Sequence, residues 1–339
     1  MILQKQIKHL SPVYFALVMA TGIVSIACSL IGLKWVSNIL FYLNHINYCW
    51  LLIMFVIRLF TYPKAFIDDF KNDSISPGFL TFVAGSGMLG VQYCLLKQVF
   101  APAIVLWIIG FIAWLVIIYA FLLIMITKPY KPDLESGLNG GWLLLVVSTQ
   151  ALSILGTQLS AHLPLPASST LFFALAAFFL GLFFYIMLIP IIFFRMTFNP
   201  MKPQEFTPPY WVLMGAMAIT ALSGATLIQN LNKAALYTEL IPVLKGLSIM
   251  AWIVASWWIP LLFILELWRR FYKKMPFKYQ PVNWDTVFTL GMYMVCTFQL
   301  AHALALPFLN IIPELFIYIA LPAWLITFFS MVRNTASEY

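Results

Sequence analysis

The sequence predicts an all-α membrane protein with ten transmembrane helices, arranged as five helical hairpins. Three observations support this fold class: 63% of the 339 residues are hydrophobic, 9% are charged, and the apolar residues form ten runs of transmembrane length. Soluble domains carry about a quarter charged residues, so this composition excludes an ordinary soluble core. Because the polar stretches between the runs are short, we expect a single transmembrane domain over residues 1–339.

The ten predicted spans are apolar runs of about 20 residues or more, the length that crosses a bilayer. They lie near residues 12–32, 37–58, 76–96, 102–126, 139–160, 169–195, 209–230, 241–268, 283–304 and 312–332. The first run follows two lysines, as the apolar part of a signal peptide does. It lacks a small-residue cleavage site and more spans follow it, so we interpret it as a helix.

The basic residues indicate how the chain is oriented. All but four of the 19 Lys and Arg residues fall on the side that holds both termini; the exceptions are Lys34, Lys97, Lys233 and Lys245. By the positive-inside rule, that side is the cytoplasm. We therefore expect cytoplasmic termini in a bacterial inner (plasma) membrane. The net charge of +8 then reports orientation, and no nucleic-acid partner is expected.

The odd-numbered runs begin alike, which indicates an internal repeat. Near the start of each run an aromatic residue follows a proline or glycine by one to three positions: Tyr14, Phe79, Trp142, Tyr210 and Trp284. The nearly constant spacing of these residues predicts five hairpins, each with an odd helix running outward and an even helix returning. Five equivalent hairpins can close into a quasi-five-fold ring with the odd helices inside.

Small and hydroxylated residues run through the centres of the odd helices, whereas the even helices are bulkier. Two explanations are open: close helix packing, or the lining of an aqueous path. Recurrence of the pattern among the hairpins favours a central pore lined by the odd helices. The predicted pore-lining residues are Thr21, Gly22, Ser25, Ser86, Gly87, Thr149, Ser153, Thr220 and Ser223.

The predicted path is nearly neutral, because the acidic residues nearest to the spans, Glu266, Asp285 and Glu314, lie close to span ends. A neutral path lined by hydroxyls and backbone dipoles suits a small, weakly held ion, and the basic cytoplasmic rim would attract anions. The sequence contains no HExxH motif, paired carboxylates or serine–histidine arrangement. We therefore expect neither an enzyme nor a cofactor.

Three ionisable residues leave alternatives open. Asp285 is a candidate gate or proton site, but its position at a helix start favours capping of free backbone amides. His45 and His302 lie within apolar runs and are candidates for a proton relay. They can equally bond a hydroxyl or carbonyl of a neighbouring helix. Proton coupling therefore stays open.

Two segments carry a resemblance to a known family. The segment from Pro12 to Ser25 (PVYFALVMATGIVS) and that from Trp284 to Thr297 (WDTVFTLGMYMVCT) resemble the tellurite-resistance/dicarboxylate transporter family. That family includes plant guard-cell slow anion channels and fungal malate permeases. The resemblance implies a quasi-five-fold ring of hairpins around a central pore and a homotrimer with one pore per subunit.

In that family a phenylalanine of the ninth helix closes the pore and is usually followed by proline. The matching residue is Phe288, followed here by Thr289, which joins the predicted pore wall. A bulky ring in a narrow neutral path would expel water and stop ions; an ordinary packing role is the other interpretation. The neutral path favours a channel or uniporter for small anions over a carrier that must grip its substrate. The alternative is a proton-coupled carrier or exporter of a dicarboxylate, sulfite or tellurite.

Overall fold

The computed structural model describes residues 2–131, 133 and 137–337. Within them, ten helical segments are long and apolar enough to cross a membrane, which confirms the predicted all-α fold class. They are Pro12–Leu30, Lys34–Thr61, Ser76–Lys97, Phe100–Thr127, Gly140–Gln158, Ala167–Phe198, Pro208–Ala234, Thr238–Tyr272, Asn283–Leu304 and Pro307–Asn334, called spans 1 to 10 in that order. Their ends agree with the predicted runs to within a few residues.

Four of the five odd spans begin with one turn of 3-10 helix that leads directly into α-helix. These turns are Pro12–Tyr14, Ser76–Phe79, Gly140–Leu143 and Pro208–Trp211. Proline suits a first turn because its missing amide hydrogen would have no partner there. Span 9 begins directly as α-helix at Asn283. The recurring start agrees with the internal repeat in the sequence.

The odd spans form the interior and the even spans form the outer layer. Between 72% and 100% of the most apolar stretch of each odd span is buried, against 22% to 50% for the even spans. Many of the large apolar side chains exposed on the outside lie on even spans, among them Trp35, Ile112, Phe183 and Tyr318. Such a surface suits lipid, since lipid tails are as apolar as these side chains.

The helices pack in a cyclic order. Each odd span contacts the next odd span and its own even partner, and span 9 contacts span 1. The even span of each hairpin also forms a hydrogen bond of 2.8–3.3 Å with the odd span of the following hairpin. These bonds join Tyr48 to Ser86, Trp114 to Thr149, Tyr185 to the carbonyl of Leu213, Trp252 to Thr297, and Trp324 to Thr21.

Short helices that the hydropathy pattern did not predict lie outside the spans. Ile2–Lys8 precedes span 1, and Pro63–Phe70 connects spans 2 and 3. Arg58, at the end of span 2, holds both: its Nε donates to the Lys8 carbonyl at 3.1 Å, and its Nη2 lies 2.6 Å from Asp69 Oδ2. A basic side chain suits this position because the last carbonyls of a helix carry partial negative charge.

Candidate functional site

A cavity of about 620 Å³ lies at the end of the molecule where the odd spans begin, and we call it the N-terminal cavity. Every odd span contributes to its wall from its first turns, through Val13, Gly78, Gly141, Tyr210 and Asp285. The first amides of a helix have no acceptors within that helix and carry partial positive charge. Five helix starts around one cavity therefore create a field that favours negative charge.

The end of span 6 and the segment that follows it add charged groups to the same cavity. Arg195, Lys202 and Glu205 line it. Arg195 is 2% exposed, and its Nη2 lies 3.2 Å from Glu205 Oε2. Its guanidinium carbon also lies 6.0 Å from the ring centroid of Tyr210, at the start of span 7. The negative charge of Glu205 is thus balanced by the salt bridge with Arg195. The ammonium group of Lys202 adds to the positive field of the helix starts.

The structure places Asp285 in the first turn of a helix, as the sequence predicted, but shows no capping hydrogen bond from it within the described residues. Span 9 begins at Asn283, so Asp285 is the third residue of the helix, and the residue before the helix, Val282, makes no side-chain cap. It is Asn283 that accepts a hydrogen bond, from the amide of Gln280 at 2.6 Å. Asp285 is 1% exposed, and its Oδ1 has no hydrogen-bond partner within the described part of the chain. The carboxyl group instead lines the cavity.

Phe288 lies three residues beyond Asp285, so the two side chains share one face of the helix. Phe288 is completely buried among the interior helices. Span 9 approaches its neighbours closely at this level. A Cβ added to Gly215 of span 7 would collide with Thr289, and one added to Gly291 would lie 2.9 Å from Ile23 of span 1. The predicted constriction thus lies in the interior, and its role as a gate stays a prediction.

The predicted pore-lining hydroxyls are all buried, and most form hydrogen bonds to neighbouring helices. Ser25 donates to the Ser37 carbonyl at 2.8 Å, and Ser153 donates to the Ala174 carbonyl at 2.7 Å while accepting from Ser223 at 2.9 Å. The others bond as follows: Thr21, Ser86 and Thr149 take part in the bonds between successive hairpins, and Thr220 and Thr289 donate to carbonyls of their own helices.

The two predicted pore-lining glycines allow close approach between helices. A Cβ at Gly22 would lie 3.1 Å from Asn44 Nδ2, and one at Gly87 would lie 3.0 Å from the Cβ of Ala151. The small residues of the odd spans therefore contribute to helix packing, the first of the two explanations that the sequence left open. That these residues line an aqueous path stays a prediction.

Sequence reasoning missed a buried pair of amides. Asn44 of span 2 donates from Nδ2 to Gln92 Oε1 of span 3 at 2.7 Å, and both residues are fully buried beside Gly22 of span 1. Asn44 Oδ1 and Gln92 Nε2 have no hydrogen-bond partner within the described residues. Amide side chains inside apolar runs are a signal in the sequence, because a polar group within a membrane span is costly and normally finds a partner.

The two histidines predicted as a proton relay lie on different helices and do not line the N-terminal cavity. His45 of span 2 is half-buried, and its Nδ1 lies 2.8 Å from the hydroxyl of Tyr93. His302, near the end of span 9, is exposed, with its Nδ1 2.8 Å from the Phe298 carbonyl of its own helix. His45 therefore bonds a hydroxyl of the neighbouring span 3, and His302 bonds a carbonyl of its own helix. A proton relay through them stays a prediction.

Ten apolar spans, an interior built from the odd spans and a cavity where those spans begin define a polytopic integral membrane protein. Residues 9–332 match the family model described as voltage-dependent anion channel, and the chain belongs to that family. The match confirms the resemblance seen in the sequence. Membership of the family supports transport of a small anion across the membrane.

Relatives among curated proteins agree with this assignment. An uncharacterized membrane protein of Mycobacterium tuberculosis is 34% identical over 46% of this chain and 79% of the relative. Two uncharacterized transporters of Methanocaldococcus jannaschii are each 25% identical. The alignments cover 87% of this chain and 86% of the first transporter, and 85% of this chain and 82% of the second.

Proposed function

We propose that the protein passes small anions through a central path between the odd spans, as a channel or uniporter, with Phe288 as the constriction. The observation that carries this proposal is the arrangement along span 9. Asp285 lines the N-terminal cavity, and Phe288 lies buried one helical turn further into the interior. An apolar ring in a narrow path stops ions by excluding water, so its displacement would open the path.

The packing of the helices supports a quasi-five-fold ring around this path. The contacts between odd spans run in cyclic order and return from span 9 to span 1. Five helix starts and the cation of Lys202 surround the cavity, and such a field raises the local concentration of anions.

The setting of the path in the membrane belongs to the same proposal. The excess of basic residues on the side of the N-terminal cavity favours a cytoplasmic cavity and cytoplasmic termini in a bacterial inner membrane. The family resemblance favours a homotrimer with one path per subunit. Cross-linking in membranes measures the subunit number, and labelling of cysteines introduced into loops reports the orientation.

The constriction is tested by replacing Phe288 with alanine and recording anion currents in planar bilayers. We expect Phe288→Ala to raise the conductance. Phe121→Ala is the matched control, because Phe121 is equally buried but lies on span 4, where it contacts Trp142. If the conductance of Phe288→Ala is unchanged, Phe288 is not the gate. The absence of anion current in the wild type and in both variants would contradict anion transport.

A proton-coupled carrier of a dicarboxylate, sulfite or tellurite is the second candidate, favoured by the buried carboxylate of Asp285 beside the path. Uptake into liposomes with and without a pH gradient separates the two candidates. Flux through a channel follows the electrochemical gradient of the anion alone, whereas a symporter also uses the proton gradient. Substitution of His45 and His302 tests the predicted relay.

A further inference from the structure

Asp285 differs from the other acidic residues at this end of the molecule that are described as buried or half-buried. Asp69, Asp73, Glu205 and Glu266 each form a salt bridge with a basic side chain. None of the salt bridges within the described residues includes Asp285, although it is buried most deeply of the five. Buried charges in proteins are normally paired, so an unpaired carboxyl group in a cavity wall calls for a ligand or a proton.

The ionisable groups around Asp285 do not supply a partner. In the cavity wall they are Arg195, Lys202, Glu205 and Tyr210, of which Arg195 and Glu205 bind each other.

Tyrosines stand at the starts of the neighbouring elements. Tyr14 ends the first turn of span 1, and Tyr279 precedes span 9 and accepts a hydrogen bond from the Trp284 indole at 3.2 Å. Burial raises the pKa of Tyr279, so this phenol stays neutral at physiological pH.

The outer spans that pack on span 9 carry charge outside the cavity wall. Span 8 ends with Glu266 bound to both Arg269 and Arg270, and span 10 ends near the exposed Arg333. Spans 3 and 5 contribute Gly78 and Gly141 to the cavity, and these have no ionisable side chain. Asp285 is therefore the acidic group of the cavity wall without a counter-ion among the described residues.

The position of Asp285 relates it to the proposed path. Asp285 lines the cavity and Phe288 lies one turn deeper on the same helix face, so an anion that moves from the cavity towards Phe288 passes the carboxyl group. Two like charges a few ångströms apart repel strongly where water is scarce. A protonated carboxyl group is neutral and can donate its O–H to the anion.

We propose that Asp285 is a proton-operated gate: its ionised carboxylate occupies the field of the five helix starts and excludes anions, and its protonation admits them. This inference rests on the proposed anion path. It differs from proton-coupled carriage, because the proton here opens the path and is not transported with each anion.

The test measures chloride and nitrate efflux from proteoliposomes at equal internal and external pH, from pH 5 to pH 8. In the wild type we expect efflux to rise at least about tenfold as the pH falls, since an ionised group near the path repels the anion. Asp285→Asn keeps the shape but not the charge, so its efflux should be high at every pH. Asp285→Glu retains a titratable group and should keep a pH dependence.

Asp73→Asn is the matched control. Asp73 is a largely buried carboxylate at the same end of the molecule, but Lys128 binds it at 2.8 Å. This variant should keep the wild-type pH profile. Size-exclusion chromatography checks that each variant is folded, and Asp285→Ser serves as a second neutral variant.

If efflux from the wild type does not change with pH, Asp285 is not a proton-operated gate. The same conclusion follows if Asp285→Asn and Asp285→Ser keep the wild-type pH profile. Both results leave anion transport standing. The absence of efflux at every pH from the wild type, from these variants and from the same variants combined with Phe288→Ala, in which the constriction is open, would instead contradict the proposed function, and the gate with it.

Discussion

The indole Nε1 of Trp324 donates a hydrogen bond to the hydroxyl of Thr21 at 3.0 Å, across 303 residues of sequence. It joins the last span to the first, and so connects the fifth hairpin to the first one. Two other hairpins use the same pair of residue types: Trp114 donates to Thr149, and Trp252 donates to Thr297. One interaction thus recurs around the molecule, as expected for repeated hairpins.

We predict that Trp324→Phe lowers the free energy of unfolding by about 0.6 to 1.7 kcal/mol through the lost bond, from the average to the largest value measured for hydrogen bonds between membrane helices. The measurement is reversible unfolding in mixed micelles. Thr21→Val should cost a similar amount. The double variant should lose less unfolding free energy than the sum of the two single losses, because both substitutions remove the same hydrogen bond. Trp50→Phe is the control, since Trp50 is 56% exposed on span 2. Strict additivity of the two losses would refute a direct bond.

Gly215→Ala should destabilise the protein by about 1 to 3 kcal/mol, the usual cost of overpacking a core. The added methyl group would collide with Cγ2 of Thr289, which serine lacks. Thr289→Ser should therefore restore part of the loss in the double variant, as measured by the same unfolding experiment. If the double variant is no more stable than Gly215→Ala, the close approach of spans 7 and 9 at this point is wrong.

Gly140→Ala should be more damaging than Gly215→Ala, because the added Cβ would meet backbone atoms that cannot rotate away. It would lie 2.7 Å from the Pro209 carbonyl carbon and 2.8 Å from the Cα of Tyr210. We expect a loss of at least about 3 kcal/mol, the upper end of the usual overpacking cost. Gly246→Ala is the matched control on span 8, where the new Cβ meets no atom within 4 Å. It should be neutral or stabilise the helix by up to about 1 kcal/mol. Equal stabilities for the two variants would contradict this contact.

Asp69→Asn should cost about 1 to 3 kcal/mol in unfolding free energy, because it removes the counter-ion of the buried Arg58 guanidinium. The loss should fall below that of a fully buried pair, since Asp69 is 24% exposed and partly solvated. Glu239→Gln is the control on an exposed acidic residue and should change stability by less than about 0.5 kcal/mol. A loss no greater than that of the control would mean that the Arg58 pair contributes nothing.

The ten spans and the division into inner and outer helices could be predicted from the order of residues. The reason is that a bilayer imposes one requirement on every span, a long apolar segment that bonds its own backbone. Small residues recur where helices approach closely, and bulky ones where they meet lipid. The aromatic starts at Tyr14, Phe79 and Tyr210 marked the repeat because they stand at fixed places within each hairpin.

The partners of the polar side chains were decided by the tertiary structure alone. Asp285 reads in sequence as a cap at a helix start, yet it lies unpaired in a cavity built by five helix starts that are far apart in the chain. Asn44 and Gln92 meet only because spans 2 and 3 pack at one particular rotation. Hydropathy along a chain does not encode that rotation about the helix axis. Polar chemistry in this protein depends on it, because a hydrogen bond forms only within about 3 Å and over a narrow range of angles.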